Sequence, residues 1–381
     1  MKVRDVLFFT LFFLAAVAFT TEVVSVQLTG KSFFSLPQKD TEVSSEKVVC
    51  SNRPVVARSA TNDPQLKAIP DYEAACGSRF FDQMMLFTNM PISDNSAIEL
   101  ADSMTKRLKA FSTHGITPIV IVEPDSEWGL VDFHEFATGI YDPWIKTYFK
   151  RLASNGVTLD QMGVWIPFPE PQLPTWNNNA DPDDFAHSVN RYFRTLRAQY
   201  PGANTAILLD SMVGDESASQ LVAYTRLVDE SLVDIAGIQG FPWHPSDEGD
   251  TRAAVTSASE FAPAYMLEEV AKSLGTKEVL INTGSYRHRK AENGGEVAIP
   301  TAERNQILTS IVYEAHLLKN AGYDVTVNVF AENKLDTKEG INWSYWPAGK
   351  NGDSTQTVMF THFIRQMTDK GVKISLFDSR P

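Results

Sequence analysis

From about residue 53 onward, short apolar runs alternate with longer stretches whose apolar residues recur every three or four positions. Runs of the first kind fit strands, and the longer stretches fit helices that bury one face. "DQMMLFTN", "TPIVIVEP", "GVWIPFPEP", "NTAILLDS", "VDIAGIQGFPW", "EVLINTGSY" and "VTVNVFAEN" predict seven strands, with a weaker one at "RPVVARSA" ahead of them. Between them lie helices over Pro64 to Cys76, "SAIELADSMTKRLKAFSTHG" and "DPDDFAHSVNRYFRTLRAQYPG"; the last opens on Asp-Pro and closes before Gly202. Eight such units within about 325 residues predict a (β/α)8 TIM barrel in one domain, residues 50–381, with its active site at the C-terminal ends of the strands. A doubly wound open sheet is the competing architecture, but no glycine-rich phosphate turn follows the first strands.

Ahead of the barrel, "MKVRDVLFFTLFFLAAVAFTTEVV" carries a basic start, an apolar stretch from Val6 to Phe19 and small residues at Ala16 and Ala18. This predicts a signal peptide over residues 1–18, followed by a linker over 19–49. An uncleaved anchor is the alternative, although the stretch is shorter than the ~20 residues that span a bilayer. Export to the cell exterior or envelope follows from the first reading. It permits a bridge between the two cysteines, Cys50 and Cys76, which the barrel would bring to its N-terminal face; two separate buried thiols are the other reading. The net charge of −13 excludes a nucleic-acid partner, which would need a basic surface.

The predicted strand ends share a chemistry. Asn89, Glu123, Glu170, Asp210, Trp243 with His244, Asn282 and Glu332 bring acids, amides and aromatics to one rim. Glycosidic bond cleavage needs one carboxylic acid for the leaving oxygen and a second carboxylate to attack or to activate water. A carboxylate at a strand end also serves as a helix cap, and for Asp210 the two roles weigh equally. Glu170 is different. Its parity with Ile166 and Phe168 places it in the inward row, and prolines 167, 169 and 171 are expected to end the ladder there. Tyr286 and Arg287 open a basic cluster, "YRHRK", that suits an acidic sugar or is a solvated loop. The histidines show no metal-ligand spacing and no Gly-x-Ser-x-Gly elbow appears, so neither a metal nor another cofactor is expected.

Residues from about 82 to 350 resemble family 26 of the glycoside hydrolases, the β-mannanase family of the retaining barrel clan. "PIVIVEP" with "FATGIYDPWIKTYFKRL" is similar to that family's third strand and following helix, and "PFPEPQLPTW" to its fourth. The resemblance implies Glu170 as general acid/base, Trp176 as a substrate-facing tryptophan, Gln172 beside the acid, and a polysaccharide or oligosaccharide bound by a monomer. It also exposes departures. Pro169 and Gln172 replace a histidine and an asparagine, and "VLINTGS" puts Asn282 where the seventh strand carries the nucleophilic glutamate. Three explanations stay open: Glu332, after the eighth predicted strand, is the second carboxylate; Asn282 orients a substrate acetamido group; or the groove binds glycan without cleaving it.

Overall fold

The computed structural model describes residues 50–55, 61–123, 125–126, 129–130, 132–172, 180–211, 218–242, 254–285, 288–290, 295–331, 333–334, 341–342 and 354–378. The expected signal peptide and linker lie outside them. Helix α1 (Pro64–Cys76) precedes β1 (Gln83–Asn89), α2 (Asp94–Thr113), β2 (Thr117–Glu123), α3 (Asp142–Ser154), β3 (Val164–Pro167), α4 (Pro182–Gln199) and β4 (Asn204–Asp210). There follow α5 (Ala218–Ala223), β5 (Ile235–Gln239), α6 (Ala264–Ser273), β6 (Glu278–Gly284), α7 (Thr301–Asn320), β7 (Asp324–Phe330), α8 (Ser354–Asp369) and β8 (Lys373–Phe377). All eight strands pair in parallel, each with its neighbour in sequence, and β8 returns to β1 to close the barrel. This is a (β/α)8 barrel.

The eight strands are not the eight that the sequence pattern predicts. Residues 53–55 of "RPVVARSA" carry no strand, and 56–60 lie outside the described residues. That segment is tied instead to the turn before β1, where Arg53 grips Asp82 with two hydrogen bonds of 2.5 and 2.6 Å. The barrel starts one strand later and finishes with Lys373–Phe377, a five-residue run beyond the segment that carries the family resemblance. Every rim residue therefore moves down one strand: Glu170 follows β3 rather than a fourth strand, and Asn282 lies on β6 rather than on a seventh.

The sequence periodicity explains the two apolar layers. Inward positions of the strands, Met85, Ile121, Ile166, Leu208, Leu280 and Phe330 among them, fill the barrel interior. Alternate positions such as Leu86, Val120, Trp165, Ile207 and Val327 face the helices, as the period of two in a strand requires. Helix α4 shows how the chain enters each helix: Asp181 accepts hydrogen bonds from the amides of Asp183 and Asp184, and Pro182 fills the first helical position. Gly163 opens β3 with a φ of 63°, and a Cβ there would overlap the Pro118 carbonyl.

The cysteines are bridged. The Cys50 amide also donates to the Cys76 carbonyl at 3.1 Å, and the Thr368 hydroxyl donates to the Cys50 carbonyl at 2.8 Å, which fastens the end of α1 to α8. Among the described residues, no helix is long and apolar enough to cross a membrane.

Candidate active site at the barrel mouth

Three acidic residues stand at the ends of three consecutive strands. Glu123 closes β2 in register with Asn89, and its carbonyl accepts from the Met90 amide at 2.9 Å. Glu170 lies just beyond β3, and Asp210 closes β4. The exit from β3 is unusual in its backbone. Phe168 and Glu170 have φ of 53° and 56°, the only described residues other than glycine with positive φ. That conformation costs an L-residue roughly 1–2 kcal/mol and persists where surrounding contacts enforce it, often at functional sites.

The enforcing contacts are visible. The Phe168 amide donates to the Val122 carbonyl on β2 at 3.0 Å, and the Glu170 amide donates to the Leu208 carbonyl on β4, also at 3.0 Å. The strand ends at Pro167, as expected, but backbone bonding continues past it. The prolines occupy alternate positions, where no amide is needed, and the residues between them bond to the strands on either side. The left-handed turn also breaks the expected parity. Phe168 does not follow Ile166 into the barrel interior; it is buried in the helix layer, 4.7 Å from the ring of Phe136 and 5.2 Å from Phe133. Glu170 is half-buried.

Gln172, expected beside the substrate, is 1% exposed and grips the backbone of Asp210. Its Oε1 accepts from the Asp210 amide at 3.1 Å, and its Nε2 donates to the Asp210 carbonyl at 3.3 Å. It thus acts on the mouth through Asp210, and it couples the exit of β3 to the end of β4.

The opposite side of the mouth is lined by carboxamides. Gln239, Asn282 and Asn328 are register partners on β5, β6 and β7. Asn328 Nδ2 donates to Asn282 Oδ1 at 2.7 Å, and Asn282 Nδ2 donates to Gln239 Oε1. Asn282 is 2% exposed with both ends of its amide engaged. The residue that reaches the open mouth from this row is Gln239, which is half-buried. The rim inventory from sequence passed over it in favour of Trp243 and His244. Its signal was its parity: Ile235, Gly237 and Gln239 alternate on one face of "IAGIQ", so a polar side chain ends an inward row.

Two neighbours hold the end of β5 in place. The Ser211 hydroxyl contacts the carbonyls of Gln239, at 2.8 Å, and of Phe261. The Gly240 amide donates to the Asn282 carbonyl at 3.0 Å. A Cβ on Gly240 would overlap the Phe261 carbonyl, so only glycine lets these backbones meet.

Six of the residues expected at the site, Glu332, Trp176, Trp243, His244, Tyr286 and Arg287, lie outside the described residues. The excursions that follow β6 and β7 contribute His288–Lys290, Glu296–Ala298, Asn333–Lys334 and Ile341–Asn342 to a small antiparallel sheet.

No family model matches the chain, and no curated protein does. Solved structures do match. An exo-β-1,4-mannosidase from Opitutaceae bacterium strain TAV5 superposes with a TM-score of 0.52 at 14% identity, over 84% of this chain and 60% of that one. The barrel is similar to those of glycoside hydrolases. A Prevotella bryantii endo-β-mannanase/endo-β-glucanase gives a TM-score of 0.50 at 10% identity, over 84% of this chain and 48% of that one. The chain thus spans between about half and two thirds of the length of these two proteins. At such identities the likeness shows the fold alone.

Proposed function

We propose that the chain is a glycoside hydrolase of β-linked polysaccharide or oligosaccharide, with Glu170 as general acid/base. The observation that carries this reading is the strained backbone at Glu170, enforced from β2 and β4 at the catalytic end of a barrel. The likeness to a mannosidase and a mannanase supports the substrate class. In the reaction Glu170 gives its proton to the glycosidic oxygen as the bond to the anomeric carbon breaks. A second carboxylate attacks that carbon or draws a proton from water. Two candidates supply it. Glu332 comes two residues after β7 in the sequence. Asp210 ends the strand next to Glu170 and lies clamped by Gln172. A separation of about 5 Å between the working pair implies retention, and one nearer 8 Å implies inversion.

A second reading has one observation in its favour. Asn282, which the family resemblance aligns with a nucleophile, is buried and fully engaged with amide neighbours, as a structural residue would be. A carbohydrate-binding protein without hydrolytic chemistry fits that arrangement. In either case the chain is exported by this proposal, following its N-terminal sequence.

A reducing-sugar screen on β-mannan, β-galactan and β-glucan separates the two. The hydrolase reading expects product from at least one polymer, and a loss of about 100-fold or more in rate for Glu170→Gln with binding retained. Binding without product favours the second reading. Equal cleavage by Glu170→Gln removes Glu170 from the acid's role.

A further inference from the structure

The carboxamides of Gln239, Asn282 and Asn328 form a chain with a direction. Each side chain has a donor end and an acceptor end, so the orientation of one fixes the others. Here Asn328 donates to Asn282 and Asn282 donates to Gln239. Gln239 Oε1 is thereby occupied, and Gln239 Nε2, which makes no hydrogen bond to a described residue, is the end offered to the mouth. The reverse direction would make as many amide bonds and would offer an oxygen instead. Something below the chain has to choose.

Two features at its lower end make that choice. Asn328 Nδ2 lies 3.5 Å from Met85 Sδ, a weak acceptor that suits an N–H and repels a carbonyl oxygen. Three shielded oxygens sit on neighbouring register partners: Asn328 is opposite Ser375 on β8, and Ser375 is opposite Gln83 on β1. Asn328 Oδ1, Ser375 Oγ and Gln83 Oε1 have no partner among the described residues. Buried polar atoms left so are costly and are commonly bridged by internal water. One water would meet this set in full: its two hydrogens would go to the amide oxygens of Asn328 and Gln83, and its oxygen would accept from the Ser375 hydroxyl. With the Asn328 oxygen held downward, its amide must point up.

We propose that Gln239 binds substrate as an N–H donor, its orientation imposed by Asn282 and Asn328 and by one internal water held among Gln83, Asn328 and Ser375. This inference rests on the glycan reading for its ligand. The matching ligand atom accepts without donating, which in a neutral glycan means a ring or glycosidic ether oxygen or, where one is present, an acetamido carbonyl oxygen. Hydroxyls adapt to a donor or an acceptor; ether oxygens do not. Gln239 is then a binding residue, and Asn282 and Asn328 are positioning residues that act through it.

Neutron diffraction from crystals of the perdeuterated full chain tests the internal part whatever the substrate is. The expected density shows one water with three bonds below Asn328 and deuterium on the Gln239 nitrogen facing the mouth. A dry site, or a chain running the other way, overturns the proposal. The ligand part is tested by calorimetric titration with mannohexaose and cellohexaose. Gln239→Glu keeps the acceptor that Asn282 uses but turns the outward donor into an acceptor, and should weaken binding by about tenfold or more. Asn328→Leu frees the chain's direction and should weaken binding several-fold in the native background, yet add nothing to Gln239→Glu. Equal losses in both backgrounds would make Asn328 merely structural and refute the coupling. If the native protein binds neither sugar and the polysaccharide screen shows neither binding nor product, the glycan reading and the ligand part fail together, while the neutron density still decides the water and the direction.

Discussion

At the scale of single residues, the mouth is organised by backbone conformation as much as by side-chain chemistry. Glu170 holds a left-handed conformation that glycine would adopt without strain. Glu170→Gly should therefore raise stability by about 1 kcal/mol while abolishing any acid catalysis, a trade visible by urea denaturation beside an activity assay. A loss of stability would mean that the side chain itself supports the fold. The sequence made Glu170 legible as a candidate acid, a lone glutamate among prolines after a buried strand. It could not make the φ angles legible, since they arise from bonds to Val122 and Leu208 on other strands. Phe168 shows the consequence: a strict period of two predicts it inward, and one left-handed residue sends it to the helix layer.

At the scale of elements, strand ends are set by contacts between neighbours. Gly240 permits β5 to meet the segment around Phe261, so Gly240→Ala should destabilise the fold by about 1–3 kcal/mol and lower the melting temperature measured by calorimetry. It should also disturb Gln239, one residue away. A second contact between elements predicts a pH dependence. Glu314 on α7 is buried and accepts from the Ala264 amide at the start of α6, at 2.7 Å. Burial raises its pKa, and the amide bond opposes that only in part. A carboxyl with a raised folded pKa stabilises the fold below its ordinary pKa, and that contribution fades as pH rises through the folded value. Glu314→Gln, neutral throughout, should therefore gain stability relative to the native chain over the pH range above the ordinary carboxyl value of 4.5 in unfolding titrations. A constant difference across that range would exclude Glu314 as the titrating group. Element boundaries were largely legible in the sequence, as the Asp181–Pro182 start of α4 shows. β8 was not: its five residues carry no flanking chemistry, and only the closed barrel explains their place.

At the scale of the whole molecule, alternating strands and helices predict the closed barrel, yet the eight strands inferred begin one too early and end one too soon. A closed ring hides such an error, because the count survives a shift of one. The bridge between Cys50 and Cys76 spans 26 residues, and in the chain-entropy account a loop of that size contributes about 3 kcal/mol. Replacing both cysteines by serine should cost about that much in denaturant unfolding. The loss should also be local. β1 and β8 are joined by two register pairs, Gln83 with Ser375 and Met84 with Leu376, whereas β1 and β2 share seven. The Cys50 carbonyl and Tyr72 of α1 hold Thr368 and Asp378, which flank β8 on its two sides, each at 2.8 Å. The disulfide is thus the clasp of a hoop whose ends overlap by little. With the clasp open, amide exchange should quicken first along β8, and a protease would find its first cut there. A reduced chain would therefore have a shorter lifetime than the oxidised one, even where the two bind the same sugar.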